Sequence, residues 1–166
     1  MTTSVGSPLL QSEGVRSQHN GTCGSDIPLT APSVYVKDTG TVKGRGVFAL
    51  RDFEAGEVVE TCPVVLMRLP FGELPKELRE RVFDWGALAG APPGTHARAH
   101  GYGSLYNNAN PANMRYEAFV AGDLLRFIAV RGISADEELT INYNARDGGA
   151  EWHDTNWFDR MNIKPI

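Results

Sequence analysis

The chain has 166 residues, 42% of them hydrophobic and 22% charged, which suffices for one domain with a single core and not for two. Its 16 basic and 20 acidic side chains leave a formal net charge of -4, so the sequence offers no strongly basic face for a nucleic-acid backbone and reads as soluble. No apolar run approaches the roughly 20 residues that a membrane span requires.

Residues 1–31 are rich in Ser, Thr, Gly and Gln, bury too little apolar surface to offset their ordering entropy, and read as a disordered tail before a domain at 32–166. The N-terminus lacks the charged-then-apolar order of a secretory signal, so a cytoplasmic protein is expected, with a nuclear location left open for a eukaryotic source. Cys23 and Cys62 carry no ligand-like spacing and read as a tail thiol and a small strand residue.

Order is expected from Ser33-Val34-Tyr35-Val36-Lys37, a β-type alternation closed by a turn at Asp38-Thr39-Gly40. Gly44-Arg45-Gly46 then leads into Val47-Phe48-Ala49; glycines there let a backbone approach a ligand closely, yet a plain turn before a strand has the same composition. The turn is no P-loop, since no Gly-Lys-Ser/Thr follows, and no dinucleotide fingerprint, since the third glycine is missing. Residues 52–57 read as a turn, and Val58-Val59 and Val64-Val65-Leu66-Met67 as two β segments.

Residues 75–88 are predicted to form the one clear helix: Leu74, Leu78, Val82 and Trp85 make one apolar stripe, Lys76, Glu77, Arg79, Glu80 and Arg81 face water, and Pro75 suits the first turn. His96 and His100 lie four apart where a helix could continue, but Arg98 stands between them and no third ligand is near, so no metal site is expected. Residues 103–113 carry Asn107, Asn108, Asn110 and Asn113 with a proline, the composition of a compact hydrogen-bonded loop. Two alternating segments, 115–120 and 125–130, flank Ala121-Gly122-Asp123 and predict a hairpin. Asp136-Glu137-Glu138 reads as surface charge in a turn, and Leu139 to Tyr143 as a last strand whose phenol needs a partner if buried.

Taken together, a Gly-x-Gly turn, a small β segment, a helical insert, an Asn-rich loop, a hairpin and a Glu-Glu-Leu-Thr-x-x-Tyr strand resemble the SET domain of protein lysine methyltransferases, over about residues 35–158. The resemblance implies a mainly β fold with a helical insert: a β-clip of small sheets closed by a C-terminal pseudoknot, threading that periodicity alone does not predict. It implies S-adenosylmethionine as methyl donor, a lysine-containing protein or peptide as substrate, and no metal. Lys43, Gly44, Arg45 and Gly46 match the motif that cradles the donor's amino-acid end. Asn107 and Asn113 match the first and last Asn of the Asn-His-Ser-x-x-Pro-Asn signature.

Tyr143 matches the catalytic tyrosine. Tyr116 falls where the family carries the Tyr or Phe that governs how many methyl groups fit, with a hint of mono-methylation, although a strand Tyr packed in a sheet has the same pattern. Tyr102 and Tyr106 are candidates for the channel wall and equally for the core. Three signature positions depart from the family: Asn108 stands for His, Ala109 for Ser and Ala112 for Pro. Asn108 can still supply the backbone contact to adenine. The zinc-binding cysteine clusters of many eukaryotic members are missing from the sequence; Trp152, Trp157 and Phe158 end the chain as in short stand-alone microbial members, with Trp157 as the aromatic that covers adenine. The resemblance leaves two readings, a methyltransferase and a SET-like module that grips a lysine peptide without turnover. It names no particular substrate protein, histone or other, and no oligomeric state.

Overall fold

The structure is a computed structural model and describes residues 27–154 and 156–162; most of the expected tail, Cys23 included, lies outside them. Strand β1 (Val34–Asp38) turns tightly into β2 (Arg45–Ala49) because the Asp38 carboxylate accepts the Gly40 N–H at 2.7 Å and the Gly44 carbonyl accepts the Thr39 N–H at 2.8 Å. The two pair antiparallel from Val34 opposite Ala49 to Asp38 opposite Arg45. Beyond β2 the sheet continues through β9 (Glu138–Ile141) to β6 (Asn107–Asn108), which runs parallel to β9.

The second sheet has five strands in the order β4 (Phe83–Asp84), β5 (Thr95–Ala99), β3 (Val58–Arg68), β8 (Leu124–Ala129) and β7 (Met114–Phe119). The predicted hairpin is β7 and β8, with Asp123 in a left-handed conformation at its turn. Between the sheets lies a core that includes Val47, Leu125, Phe127, Leu139 and Ile141, and the Phe127 ring touches those of Phe83, Tyr106 and Tyr116. Each large apolar side chain buried there contributes roughly 1.5–3 kcal/mol.

Three expectations give way. The two β segments around Cys62 are one 11-residue strand, β3, running straight through Pro63. Residues 58–63 pair with β8 and residues 64–68 with β5, so the proline falls where the strand changes partners and its missing N–H interrupts neither ladder. The single helix over 75–88 is instead α1 (Lys76–Arg79), β4 and α2 (Trp85–Ala89). Phe83 and Asp84 pair with Ala97 and His96, and this ladder outcompetes helix continuation; Asp84 then caps α2 by accepting the Ala87 N–H at 3.0 Å. Leu74 and Trp85 still reach the core, while Leu78 and Val82 are only partly buried. The third correction follows from β5: His96 lies on that strand and His100 just beyond it, exposed, so the pair shares no helix face.

Candidate active site

The asparagine loop and the last strand are tied side chain to backbone. Asn113 Nδ2 donates to the Glu138 carbonyl (2.8 Å) and to Glu137 Oε1 (3.0 Å), while its Oδ1 accepts the Thr140 N–H (2.8 Å) and hydroxyl (3.2 Å). The Ala109 N–H donates to the Ile141 carbonyl, and the Tyr143 N–H to Asn108 Oδ1, both at 3.0 Å. From the other side the chain beyond β9 closes on the same segment: the Ala112 carbonyl accepts the Gly149 N–H (2.9 Å) and the Arg146 carbonyl the Tyr116 N–H (3.0 Å). Residues 107–116 are therefore gripped on both edges by one continuous stretch, the interlocking that a pseudoknot requires.

The glycine turn joins this knot. Asn107 Nδ2 donates to the Arg45 carbonyl (3.2 Å) and to Glu138 Oε1 (2.7 Å), and Lys43 Nζ donates to the Asn108 carbonyl at 2.7 Å. Gly44 has φ of +70° with open space where a Cβ would stand, whereas a Cβ on Gly46 would strike the Glu138 carboxylate and the Thr39 methyl. Glu137 and Glu138, expected as surface charge, are structural partners. Arg131 and Asn113 hold the Glu137 carboxyl below its ordinary range.

Beside the knot opens a cavity of about 360 Å³, walled by Phe83, Tyr106, Tyr116, Ile141 and Tyr143, with Glu80, Arg81 and Arg146 among its polar lining. Tyr143 lies two residues beyond the end of β9, and its hydroxyl donates to the Tyr106 carbonyl at 2.9 Å. Burial pushes the phenols of Tyr143 and Tyr116 up to about 12. Trp157 stands edge-on to Tyr143, ring centroids 4.5 Å apart at 66°, on α3 (Asn156–Met161), whose Trp157 N–H donates to Asn144 Oδ1 at 2.6 Å. Phe158 is buried behind it, while Trp152 is exposed.

The sequence-predicted residues thus fall into two groups that meet at Tyr143: Lys43, Gly44, Arg45, Gly46, Asn107 and Asn108 around the knot, and Tyr106, Tyr116, Tyr143 and Trp157 around the cavity. Tyr102 is not in the cavity wall and packs against the core. Tyr106 is in the wall, but its hydroxyl points away to Glu60 Oε2 at 2.7 Å. Sequence reasoning missed Glu60 and Asn144, and it weighed His96 only as half of a metal pair; His96 lines the cavity, and its buried Nε2 has no hydrogen-bond partner among the described residues. No spacing signal marks Glu60, because Val59 beside it is buried too and the alternation of a regular strand is broken there.

The SET domain family model matches residues 44–144. A histone-lysine N-methyltransferase specific for H3 lysine-37 from Schizosaccharomyces pombe is 28% identical over 120 residues, covering 70% of this chain and 77% of that protein. Among solved structures, a candidate histone methyltransferase from Plasmodium falciparum superposes with a TM-score of 0.55 at 23% identity, over 69% of this chain and 95% of that one. A humanized mutant of the Chaetomium thermophilum Polycomb Repressive Complex 2 gives 0.56 at 24% identity, over 71% of this chain and 16% of that one. At such identities the solved structures speak for the fold alone. The family match runs unbroken from the glycine turn through the asparagine loop to the residue after Tyr143, and the chain belongs to the SET domain family.

Proposed function

We propose that the chain transfers a methyl group from S-adenosylmethionine to the side-chain amine of a protein lysine. The observation that carries this reading is the junction at Tyr143: its backbone is held by the asparagine knot and its phenol forms part of a cavity wall with two further tyrosines. Membership in a family with histone-lysine methyltransferase relatives supports it.

The residues around the knot suit the methyl donor. Lys43 offers an ammonium for a carboxylate, the Arg45 and Asn108 carbonyls offer acceptors for an ammonium, and Gly44 leaves room for close approach. Trp157, half buried, offers an aromatic face for adenine. When bound, the donor supplies a methyl group on a sulfonium already activated toward an amine. The replacement of the signature histidine is compatible with this reading, since the Asn108 backbone is fixed by pairing with β9 and its side-chain amide holds Tyr143.

The protein's remaining task is alignment and removal of water around the amine. A lysine with an ordinary pKa of about 10.4 is charged at neutral pH; removal from water in the cavity disfavours that charge, while the aromatic wall accepts the aliphatic stem. Tyr143, its proton held by the Tyr106 carbonyl, can accept an N–H and so turn the amine's lone pair toward the methyl group. Tyr116 sits in the same wall, where its bulk and hydroxyl would limit the product to mono-methyl-lysine.

The test is incubation with labelled methyl donor and a mixed protein extract, with mass spectrometry to locate label. Label on lysine amines is expected. Donor that neither binds in calorimetry nor transfers would overturn the reading, and peptide capture without label would leave the lysine-binding module in its place.

A further inference from the structure

The reading above uses Tyr143 but leaves unexplained what fixes the carbonyl that Tyr143 bonds. Glu60 is 5% exposed, an unusual location for a carboxylate in the middle of a strand. It comes inside because β3 and β8 lose register between Val58 and Glu60: this bulge turns two successive residues, Val59 and Glu60, toward the core where regular alternation would send one to solvent. Once inside, the carboxylate meets both ends of one short segment, with Oε1 accepting the Tyr102 N–H at 2.9 Å and Oε2 accepting the Tyr106 hydroxyl at 2.7 Å.

That segment lies hard against β3. A Cβ on Gly101 would strike Glu60 Oε1, and one on Gly103 would come within 2.9 Å of Cys62 Sγ and 2.8 Å of the Ala99 Cβ, so glycine at both positions lets the backbone seat on the carboxylate. Tyr106 then presents its carbonyl to Tyr143.

We propose that Glu60 is a positioning residue: the bulge-delivered carboxylate clamps residues 102–106, so that the Tyr106 carbonyl orients the Tyr143 phenol toward the substrate amine. The proposal rests on the methyl-transfer reading for its kinetic consequence, though not for its geometry.

Two variants test it, Glu60→Gln and Tyr106→Phe. The first keeps one acceptor oxygen but sets an NH2 group against one of the two donors; the second removes the hydroxyl while keeping the carbonyl that Tyr143 uses. Each is compared with the unaltered full chain by turnover, by KM for a lysine substrate, and by the NMR signal of the Tyr143 ring carbon bearing oxygen, which reports the phenol's hydrogen bond. Expected are a loss of about 10- to 100-fold in kcat with KM changed less than about threefold, and a displaced Tyr143 signal in both variants. An unmoved signal overturns the proposal whatever the rate does, as does a folded Glu60→Gln protein with unchanged kcat. Should Glu60→Gln fail to fold, Tyr106→Phe carries the same measurements. A displaced signal in a chain that transfers no methyl group upholds the clamp and removes the methyl-transfer reading instead.

Discussion

A phenol whose proton is held by a main-chain carbonyl can only accept. Tyr143 is in that state, and with its pKa pushed up to about 12 by burial it stays protonated throughout the working range of an enzyme. Its proposed service is therefore orientation, with proton loss from the lysine occurring before attack. Tyr143→Phe is expected to lower kcat by about 100-fold while the affinity for methyl donor stays within about threefold, read by single-turnover kinetics and calorimetry. The rate should rise with pH as the substrate amine deprotonates, and the Phe variant should show the same curve at lower amplitude. An inflection present in the parent and lost in the variant would identify the phenol as a titrating base. The neighbouring Asn108 makes a related point about substitution: a histidine position can be filled by an amide when the needed group is an acceptor for a backbone N–H.

Between elements, Asn113 does for the first sheet what Glu60 does for the second. Its side chain is 3% exposed, and its amide satisfies the Thr140 N–H within β9 while donating to two successive residues of the acidic turn. Asn113→Ala leaves that N–H and the Glu138 carbonyl without these partners, so a loss of about 1–3 kcal/mol is expected in urea unfolding; less than about 0.5 kcal/mol would show that the loop is held mainly elsewhere. Asn113 and its loop were legible in the sequence because four asparagines in seven positions leave few alternatives to a hydrogen-bonded turn, and the alternation of 115–130 made the hairpin plain. The broken helix was not: an apolar spacing of four reports which residues reach the core, and Leu74 and Trp85 do, but it carries no trace of β5 pairing with Phe83 and Asp84. Nor was Glu60, since a bulge changes which face a residue takes without changing its neighbours in sequence.

Across the whole molecule, ionisation acts differently at the two ends of the pH scale. Glu137 has a folded pKa below its ordinary value of 4.5, so its contribution is present above that value and lost as pH falls through the lower folded one. Glu60 is raised by burial, so its effect runs the other way: stability is favoured below 4.5 and lost as pH rises through the raised value. The two act in adjoining windows, Glu137 below 4.5 and Glu60 above it, so together they favour stability near that value. On the alkaline side the phenols act together. Tyr116 and Tyr143 are raised from 10.0 to about 12, and Tyr106 is raised well above 10.0 by burial and by the Glu60 charge. Their contribution is whole below pH 10 and disappears as pH climbs through the folded values, because only the unfolded chain can ionise them freely. A difference of two pKa units corresponds to about 2–3 kcal/mol for each phenol at full development. Denaturation midpoints measured from pH 8 to pH 11.5 should therefore hold nearly level to about pH 10 and then fall steeply, and Tyr116→Phe and Tyr143→Phe should each make the fall shallower. An equally steep fall in both variants would assign the alkaline limit to other groups, Tyr106 or the lysines, and would mean that these two phenols are reached by water in the folded protein.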